Sequence, residues 1–190
     1  MDPRWGSQWW VMWASRAVGL HLYKGEYATA AELLSKRDAT FWRAGLHRTN
    51  VLLTEWTLLW LAVGVHVPAA HAATRRVARR AARCRTKAGF LFCLQPLFQQ
   101  VDAFLQHDRP RAAAALADSR MRFGAETAMM RWALAYAEAL WGDDPHAADA
   151  ARQPFDEREV ADATRYISLW LPIPQPSAPW GEESGTVRTA

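Results

Sequence analysis

A single glycine, Gly25, separates two apolar stripes of helical spacing near the N-terminus, and this arrangement limits the folds open to the chain. Before the glycine, Val18 and Leu22 recur four residues apart, and after it Ala30 and Leu34 do the same. This spacing puts side chains on one face of an α-helix. Glycine adopts left-handed backbone conformations without strain, so Gly25 is a natural end for the first helix. The pattern predicts an antiparallel helix pair that packs through alanines.

A turn residue five positions before a small residue occurs three times along the chain. The pairs are Gly25 with Ala30, His107 with Ala112, and Gly142 with Ala147. The spacing between the last two pairs is close to the roughly 34-residue period of tetratricopeptide arrays. A helix pair cannot bury its apolar face alone, so such pairs stack. We therefore predict an all-α, tetratricopeptide-like solenoid of antiparallel helix pairs over residues 1–171.

Residues 51–67 form a strongly apolar segment that is interrupted by Glu55 and His66. A membrane-spanning helix needs about 20 mostly apolar residues, so this segment falls short. The arginines that follow would fit the cytoplasmic flank of a span, which keeps that alternative open. A buried helix of the solenoid explains the same residues more simply, with Pro68 in the first turn of the next helix.

A row of basic residues occupies one face of the helix predicted after Pro68, and small residues occupy the other face. The row comprises Arg75, Arg76, Arg79, Arg80, Arg83 and Lys87. A solvated helix face is the simplest interpretation, and a surface for an acidic protein, a phosphate or nucleic acid is the alternative. No aromatic residues alternate with the arginines, so a base-stacking platform for nucleic acid is not expected.

Four of the eleven tryptophans fall within nine residues at the N-terminus. They are Trp5, Trp9, Trp10 and Trp13. A helix here is apolar on nearly every side, so it either covers the end of the array or offers a docking face to an upstream partner. The predicted partner-binding residues are these four tryptophans together with Arg75, Arg76, Arg79, Arg80 and Arg83.

The second half of the chain carries further helix signals. Residues 90–106 predict a long helix with a kink at Pro96. Asp108 and Asp144 each stand at the start of a predicted helix, where an aspartate side chain caps the first turn. A last helix is predicted over residues 156–170, with an apolar stripe that ends at Trp170.

Composition and cysteine usage are those of a folded protein in a reducing compartment. The chain is 51% hydrophobic and 22% charged, with a net charge of +4 that does not by itself argue for nucleic acid. Cys84 and Cys93 form no paired motif, which excludes a zinc framework and a disulfide scaffold. The N-terminus lacks the pattern of a secretory signal. We predict a cytoplasmic protein with a proline-rich, disordered tail over residues 172–190.

No constellation of residues has the pattern of a catalytic or metal site. Asp143, Asp144 and His146 share one turn and could hold a metal, but the turn also needs a cap. Glu55 in its apolar helix could act as an acid, although a paired or interface-facing glutamate is far commoner. No serine, cysteine or threonine has a base at a diagnostic spacing. We predict no enzymatic activity, no cofactor and no bound metal.

Four motifs occur in order over residues 9–173. They are Leu20-His-Leu-Tyr-Lys-Gly-Glu with Ala30 and Leu34, the arginine-bearing helix, Ala112-Ala-Ala-Ala-Ala-Leu with Phe123, and Trp132-Ala-Leu-Ala-Tyr-Ala-Glu-Ala-Leu-Trp-Gly-Asp. This order resembles the C-terminal tetratricopeptide-like region of large bacterial multidomain serine/threonine protein kinases. The resemblance implies a scaffold or regulatory array whose catalytic domain lies upstream. The kinase phosphate loop, His-Arg-Asp and Asp-Phe-Gly motifs do not occur in this sequence.

These observations favour a non-catalytic scaffold for protein–protein interaction in bacterial signalling. We expect a partner segment to bind in a groove lined by the first helix of each pair, with the exposed arginines steering acidic ligands. The partner would be another protein or an upstream kinase or repeat region. One alternative is a regulatory region that acts on an attached or separately encoded kinase. A basic helical protein that binds nucleic acid or a membrane surface is a further alternative, supported by the arginine row alone.

Overall fold

The chain folds into α-helices joined by short turns. The computed structural model describes residues 3–84, 86 and 89–174, with the backbone alone described for residues 3–12 and Glu126. Its α-helices are α1 (Pro3–Tyr23), α2 (Tyr27–Arg43), α3 (Asn50–His66), α4 (His71–Ala82), α5 (Gly89–Gln99), α6 (Val101–Leu105), α7 (Arg109–Arg122), α8 (Ala128–Gly142), α9 (Pro145–Asp156) and α10 (Ala163–Ser168). No strand occurs among the described residues, and the predicted all-α class is confirmed.

Three turns between helices share one backbone geometry. Gly25, His107 and Asp143 adopt left-handed conformations with φ of 75°, 54° and 57°, and α2, α7 and α9 begin two residues after them. In the second and third turns, Asp108 and Asp144 directly precede the helix, and the side chain of each accepts a hydrogen bond from a backbone N–H of that helix. This interaction satisfies a donor that the first helical turn would leave unpaired. Ala30 and Ala112, five residues after the first two turn residues, are fully buried.

The third turn begins one residue later than the sequence pattern predicts. Gly142 is the last residue of α8, and Asp143 takes the left-handed conformation. Consequently Ala148 is buried, whereas the predicted packing residue, Ala147, is exposed. Aspartate tolerates the left-handed region better than most residues, so the glycine was not needed there.

Pro96 lies inside α5 without ending it. A proline removes the hydrogen bond to the carbonyl four residues earlier, which here belongs to Phe92. The Arg122 guanidinium donates to that carbonyl through Nη1 at 3.1 Å. The helix continues past the proline to Gln99. The single helix predicted over residues 90–106 is instead divided at Gln100 into α5 and α6.

The helix predicted over residues 156–170 is wrong in extent. α9 ends at the residue where the predicted helix begins, and α10 starts only at Ala163. Between them Glu159 adopts a left-handed conformation with φ of 57°. Asp162 then caps α10 by accepting a hydrogen bond from the backbone N–H of Arg165 at 2.8 Å.

The central helix of the fold is α3, which packs against α1, α2, α4, α5 and α6. Twelve of its 17 residues are buried. One face, with Trp56 and Trp60, joins the core formed with α1 and α2. The other face, with Leu61 and Val65, joins the core formed with α5 to α10. Within the described part of the chain, no helix has both the length and the apolarity that crossing a membrane requires.

The last helix packs back on the first, since α10 contacts α1. The guanidinium of Arg165 lies 5.8 Å from the ring centroid of Tyr23. Leu169, directly after α10, approaches the backbone at Gly19, where an added Cβ would lie 3.9 Å from its methyl group. In an open solenoid each repeat contacts only its neighbours. This contact between the two ends is a departure from that simple arrangement.

The first residues of the predicted tail pack against the helices. Ile173 is buried, and the indole N–H of Trp141 donates to the carbonyl of Pro172 at 2.8 Å. Residues 175–190 lie outside the described part of the chain, so their disorder stays a prediction.

Candidate functional site

An open groove of about 610 Å³ lies between α1 and α3. Its walls also include residues from α5, from α8 and from the segment directly after α10. One representative of each wall segment is Leu20 (α1), Leu58 (α3), Phe90 (α5), Met130 (α8) and Trp170 (after α10). Along the chain these segments are separated by α2, by α4, by α6 and α7, and by α9 and α10, and none of those six helices contributes a lining residue.

The rim of this groove carries exposed apolar side chains. Leu20 is 53% exposed, Val51 68% and Phe90 48%. Of the eight large apolar side chains exposed among the described residues, five line the groove. Clustered exposed apolar surface is typical of a binding site. Leu20 and Val51 are apolar residues that their helices leave exposed. In the sequence, such residues are recognisable where the apolar stripe of a helix is wider than one packing face.

Three polar side chains line the groove without an intramolecular partner among the described residues. Ser15 on α1 is 7% exposed, and its Oγ makes no hydrogen bond. Glu55 on α3 is partly buried, and Arg16 on α1 is exposed. No ion pair or hydrogen bond engages either of these charges within the described part of the chain. The groove thus combines an apolar lining with a few polar groups that have no intramolecular partner among the described residues.

The arginines of the row lie on α4 and directly after it, and none of them lines the groove. Arg75 forms an ion pair with Asp102 of α6. Arg80 stacks on the ring of Trp42, with the guanidinium carbon 4.3 Å from the ring centroid. These contacts attach part of the predicted partner surface to neighbouring helices.

Arg79 and Arg83 are the exposed members of the row without an ion pair or ring contact among the described residues. They border a shallow pocket of about 490 Å³ that is lined by α4 and the residue after it. Arg83 lies one residue beyond the end of α4, and Lys87 lies outside the described residues. The free positive charge of this face is therefore concentrated at the C-terminal end of α4.

Asp38 connects three helices through its buried carboxylate. Oδ1 accepts hydrogen bonds from the indole N–H groups of Trp42 at 3.0 Å and Trp56 at 3.1 Å. Oδ2 accepts from Nη2 of Arg76 at 2.7 Å. Three donors compensate for the loss of water around a buried carboxylate. Arg76 therefore has a structural contact in addition to its predicted role in partner binding.

A second group of rings lies between the start of α2 and the end of α3. Tyr27 stacks on His66 with ring centroids 3.8 Å apart and an interplanar angle of 26°. Burial, with a smaller contribution from His107, lowers the pKa of His66 from its usual 6.5 to about 4. Burial also raises the pKa of Tyr27, and the charge of Arg165 opposes this. Both rings are consequently neutral at pH 7, and the pair is a packing contact.

In the turn that contains Asp143, Asp144 and His146, both aspartates have intramolecular contacts. Asp143 forms an ion pair with Arg109 at 3.0 Å, and Asp144 caps α9 by accepting from the backbone N–H of Ala147 at 2.9 Å. Across the described residues, no three histidine, cysteine or acidic side chains come together in a way that would hold a metal ion.

The N-terminal tryptophans are described only in part. Trp13 is 61% exposed on α1. The side chains of Trp5, Trp9 and Trp10 lie outside the described residues, although the backbone of α1 runs through all three positions. Their predicted contribution to partner binding stays a prediction.

Comparison of the chain with models of known protein families, with curated proteins and with solved structures finds no match in any of the three. The resemblance to kinase-associated helical arrays therefore stays a prediction.

Proposed function

We propose that this protein is a non-catalytic interaction module that binds a helical segment of another protein in the apolar groove. The observation that carries the proposal is the alternation of the lining segments. Residues from α1, α3, α5, α8 and the segment after α10 line the groove, and the helices between them do not. When α5 and α6 are counted as one interrupted helix, and the segment after α10 is counted with α10, the lining falls on every second helix. This distribution supports a tetratricopeptide-like arrangement, in which the first helix of each pair faces the ligand.

The dimensions of the groove favour a short helix as its occupant. The lining residues run from Ser15 to Tyr23 on α1 and from Val51 to Leu59 on α3. At 1.5 Å per residue each wall is about 12 Å long, or roughly two helical turns. An amphipathic helix that enters such a groove inserts apolar side chains at positions i, i+3, i+4 and i+7. The exposed Leu20 and Val51 offer apolar surface to such side chains.

A displayed library of helical 16-residue peptides tests this proposal when it is selected against the wild-type protein and two variants. Leu20→Asp places a charge in the groove wall, whereas Met121→Asp places one at an apolar residue that is 80% exposed on α7. We expect selected peptides to bind Leu20→Asp at least about tenfold more weakly, because a lost apolar contact costs about 1.5 kcal/mol or more. Met121→Asp is expected to bind them as the wild type does.

Equal loss of binding in both variants, or none in Leu20→Asp, would show that the groove is not the binding surface. Both substituted side chains are largely exposed, so neither variant is expected to unfold. Circular dichroism spectra and melting curves of the two variants provide the check on folding.

The free charges of α4 favour a second, accessory function. Arg79 lies on α4 and Arg83 directly follows it, and neither residue lines the groove. We propose that they accelerate association with an acidic partner without contacting its apolar segment, because such steering acts at a distance. From the resemblance alone, we further propose that the module serves a bacterial serine/threonine kinase pathway in the cytoplasm. In that setting it would act as a scaffold or as a regulatory region of the kinase.

A further inference from the structure

Glu55 is the acidic residue in the lining of the groove. It lies on α3 among Val51, Leu58 and Leu59, which line the same groove. The residue is partly buried before any ligand binds, and no cation pairs with its carboxylate among the described residues. Arg16 lines the same groove but forms no ion pair with it.

A bound apolar segment would remove much of the remaining water from this carboxylate. An unpaired buried carboxylate costs several kcal/mol, whereas a paired and hydrogen-bonded one does not carry that penalty. Arg16 avoids the same penalty because it is exposed, and its long side chain can keep the guanidinium in water. The groove therefore disfavours a purely apolar segment and favours one that supplies a cation to Glu55.

Ser15 provides a second polar group, on the other main wall of the groove. Its hydroxyl is buried and makes no hydrogen bond among the described residues. Rotation about χ1 moves Oγ between staggered positions, so the hydroxyl can turn toward a donor that enters the groove. A lysine ammonium has three N–H donors and no acceptor, which suits a carboxylate on one wall and a hydroxyl on the other.

We infer that the partner is an amphipathic helix with one lysine or arginine within its apolar face, and that Glu55 selects this residue. This inference rests on the function proposed above, because it requires a helix in the groove. Glu55 forms the ion pair with the incoming cation, and Ser15 accepts an additional hydrogen bond. The apolar residues on either side of Glu55 exclude water from the pair.

Selection of the helical library against three further variants tests the inference. Glu55→Gln removes the charge, Glu55→Lys reverses it, and Asp149→Asn removes an exposed acidic charge of α9 that does not line the groove. Peptides selected on the wild type are then synthesised with lysine, methionine or glutamate at the enriched position. Fluorescence anisotropy gives the dissociation constant of each peptide with each protein.

We expect the wild type and Asp149→Asn to enrich a basic residue at one fixed position of the apolar face. Lysine is expected to bind the wild type at least about tenfold more tightly than methionine, as close charge pairs at interfaces do. Glu55→Gln is expected to lose this preference, and Glu55→Lys is expected to prefer glutamate. Rescue by reversed charges is a readout that a merely structural role of Glu55 would not produce.

Two results would overturn the inference and leave the proposed function intact. In one, the selected peptides depend on Leu20 but carry no basic residue. In the other, the preference for lysine persists in Glu55→Gln. Absence of groove-dependent helical peptides would instead refute the proposed function and the inference together. If dodecylamine binds with a requirement for Glu55 while no helix does, the occupant is a small cationic amphiphile, and the inferred helix is wrong.

Discussion

Protonation of His66 is expected to destabilise the folded protein as the pH falls. Its ring is stacked on Tyr27 at the end of α3, and its Nδ1 is buried without a hydrogen-bond partner. Burial lowers the pKa of His66 to about 4, whereas an unfolded chain has the usual value of 6.5. Between these values the unfolded state binds a proton that the folded state does not. The stability contributed by the neutral ring is therefore complete above pH 6.5 and is lost progressively down to pH 4.

The magnitude follows from the difference between the two pKa values. One pKa unit corresponds to about 1.4 kcal/mol, so the full loss is about 3 kcal/mol, of which about 1 kcal/mol is lost by pH 5.5. Below pH 4 the folded state also binds the proton, and the loss ends. His66→Phe keeps an aromatic ring against Tyr27 and removes the titrating group. The variant is therefore expected to lose less stability than the wild type over this range.

Urea unfolding followed by circular dichroism at pH 7.5, 6.5, 5.5 and 4.5 measures the difference. Carboxylates that titrate in this range are shared by both proteins, so their effects cancel in the comparison. His146→Phe is the matched control, because His146 is exposed on α9. A difference in unfolding free energy between wild type and His66→Phe that stays constant with pH would refute the reasoning. So would an equal effect of His146→Phe.

Three further predictions concern packing and surface charge. Asp38→Ala is expected to lower the free energy of unfolding in urea by about 2 kcal/mol, because three donors lose their acceptor. Gly64→Ala is expected to lower the free energy of unfolding by about 1–3 kcal/mol, since an added Cβ would lie 2.6 Å from the hydroxyl of Thr74. Gly142→Ala is expected not to lower it, because a Cβ there meets nothing within 4 Å. A larger loss of stability in Gly142→Ala than in Gly64→Ala would contradict this packing. Replacing Arg79 and Arg83 by glutamine is expected to leave the melting temperature unchanged and weaken retention on heparin; unchanged retention would exclude them as the free cations.

Features set by neighbours in sequence could be predicted without the structure. Gly25 ends α1, and Asp108 and Asp144 cap α7 and α9 through N–H groups three residues away. Each is a local interaction whose partners lie within one helical turn, so residue type and spacing identify it. The all-α class follows equally from the apolar spacing of the helices.

Features that depend on distant residues were predicted incompletely or wrongly. In the third turn Asp143, and not Gly142 as the sequence pattern predicts, adopts the left-handed conformation. Aspartate tolerates this conformation better than most residues. The groove brings together Ser15, Glu55 and Trp170, which are far apart in the chain, and no local pattern reveals which apolar residues stay uncovered. The arginine row of α4 does not line the groove, and the pattern of one helix does not indicate which neighbours that helix packs against. The predicted steering by these arginines is not tested by this arrangement and stays a prediction.

The most direct test of groove binding uses methionine methyl groups as reporters in nuclear magnetic resonance spectra. Met130 lines the groove, whereas Met121 is exposed on α7 and does not line it. The protein is labelled with ¹³C-methyl methionine, and the variants Met130→Leu and Met121→Leu assign the two signals. A peptide selected on the wild type is then titrated into the labelled protein. Binding in the groove predicts a saturable shift of the Met130 signal, lost in Leu20→Asp, and an unchanged Met121 signal. A saturable shift of Met121 with an unchanged Met130 signal would contradict it.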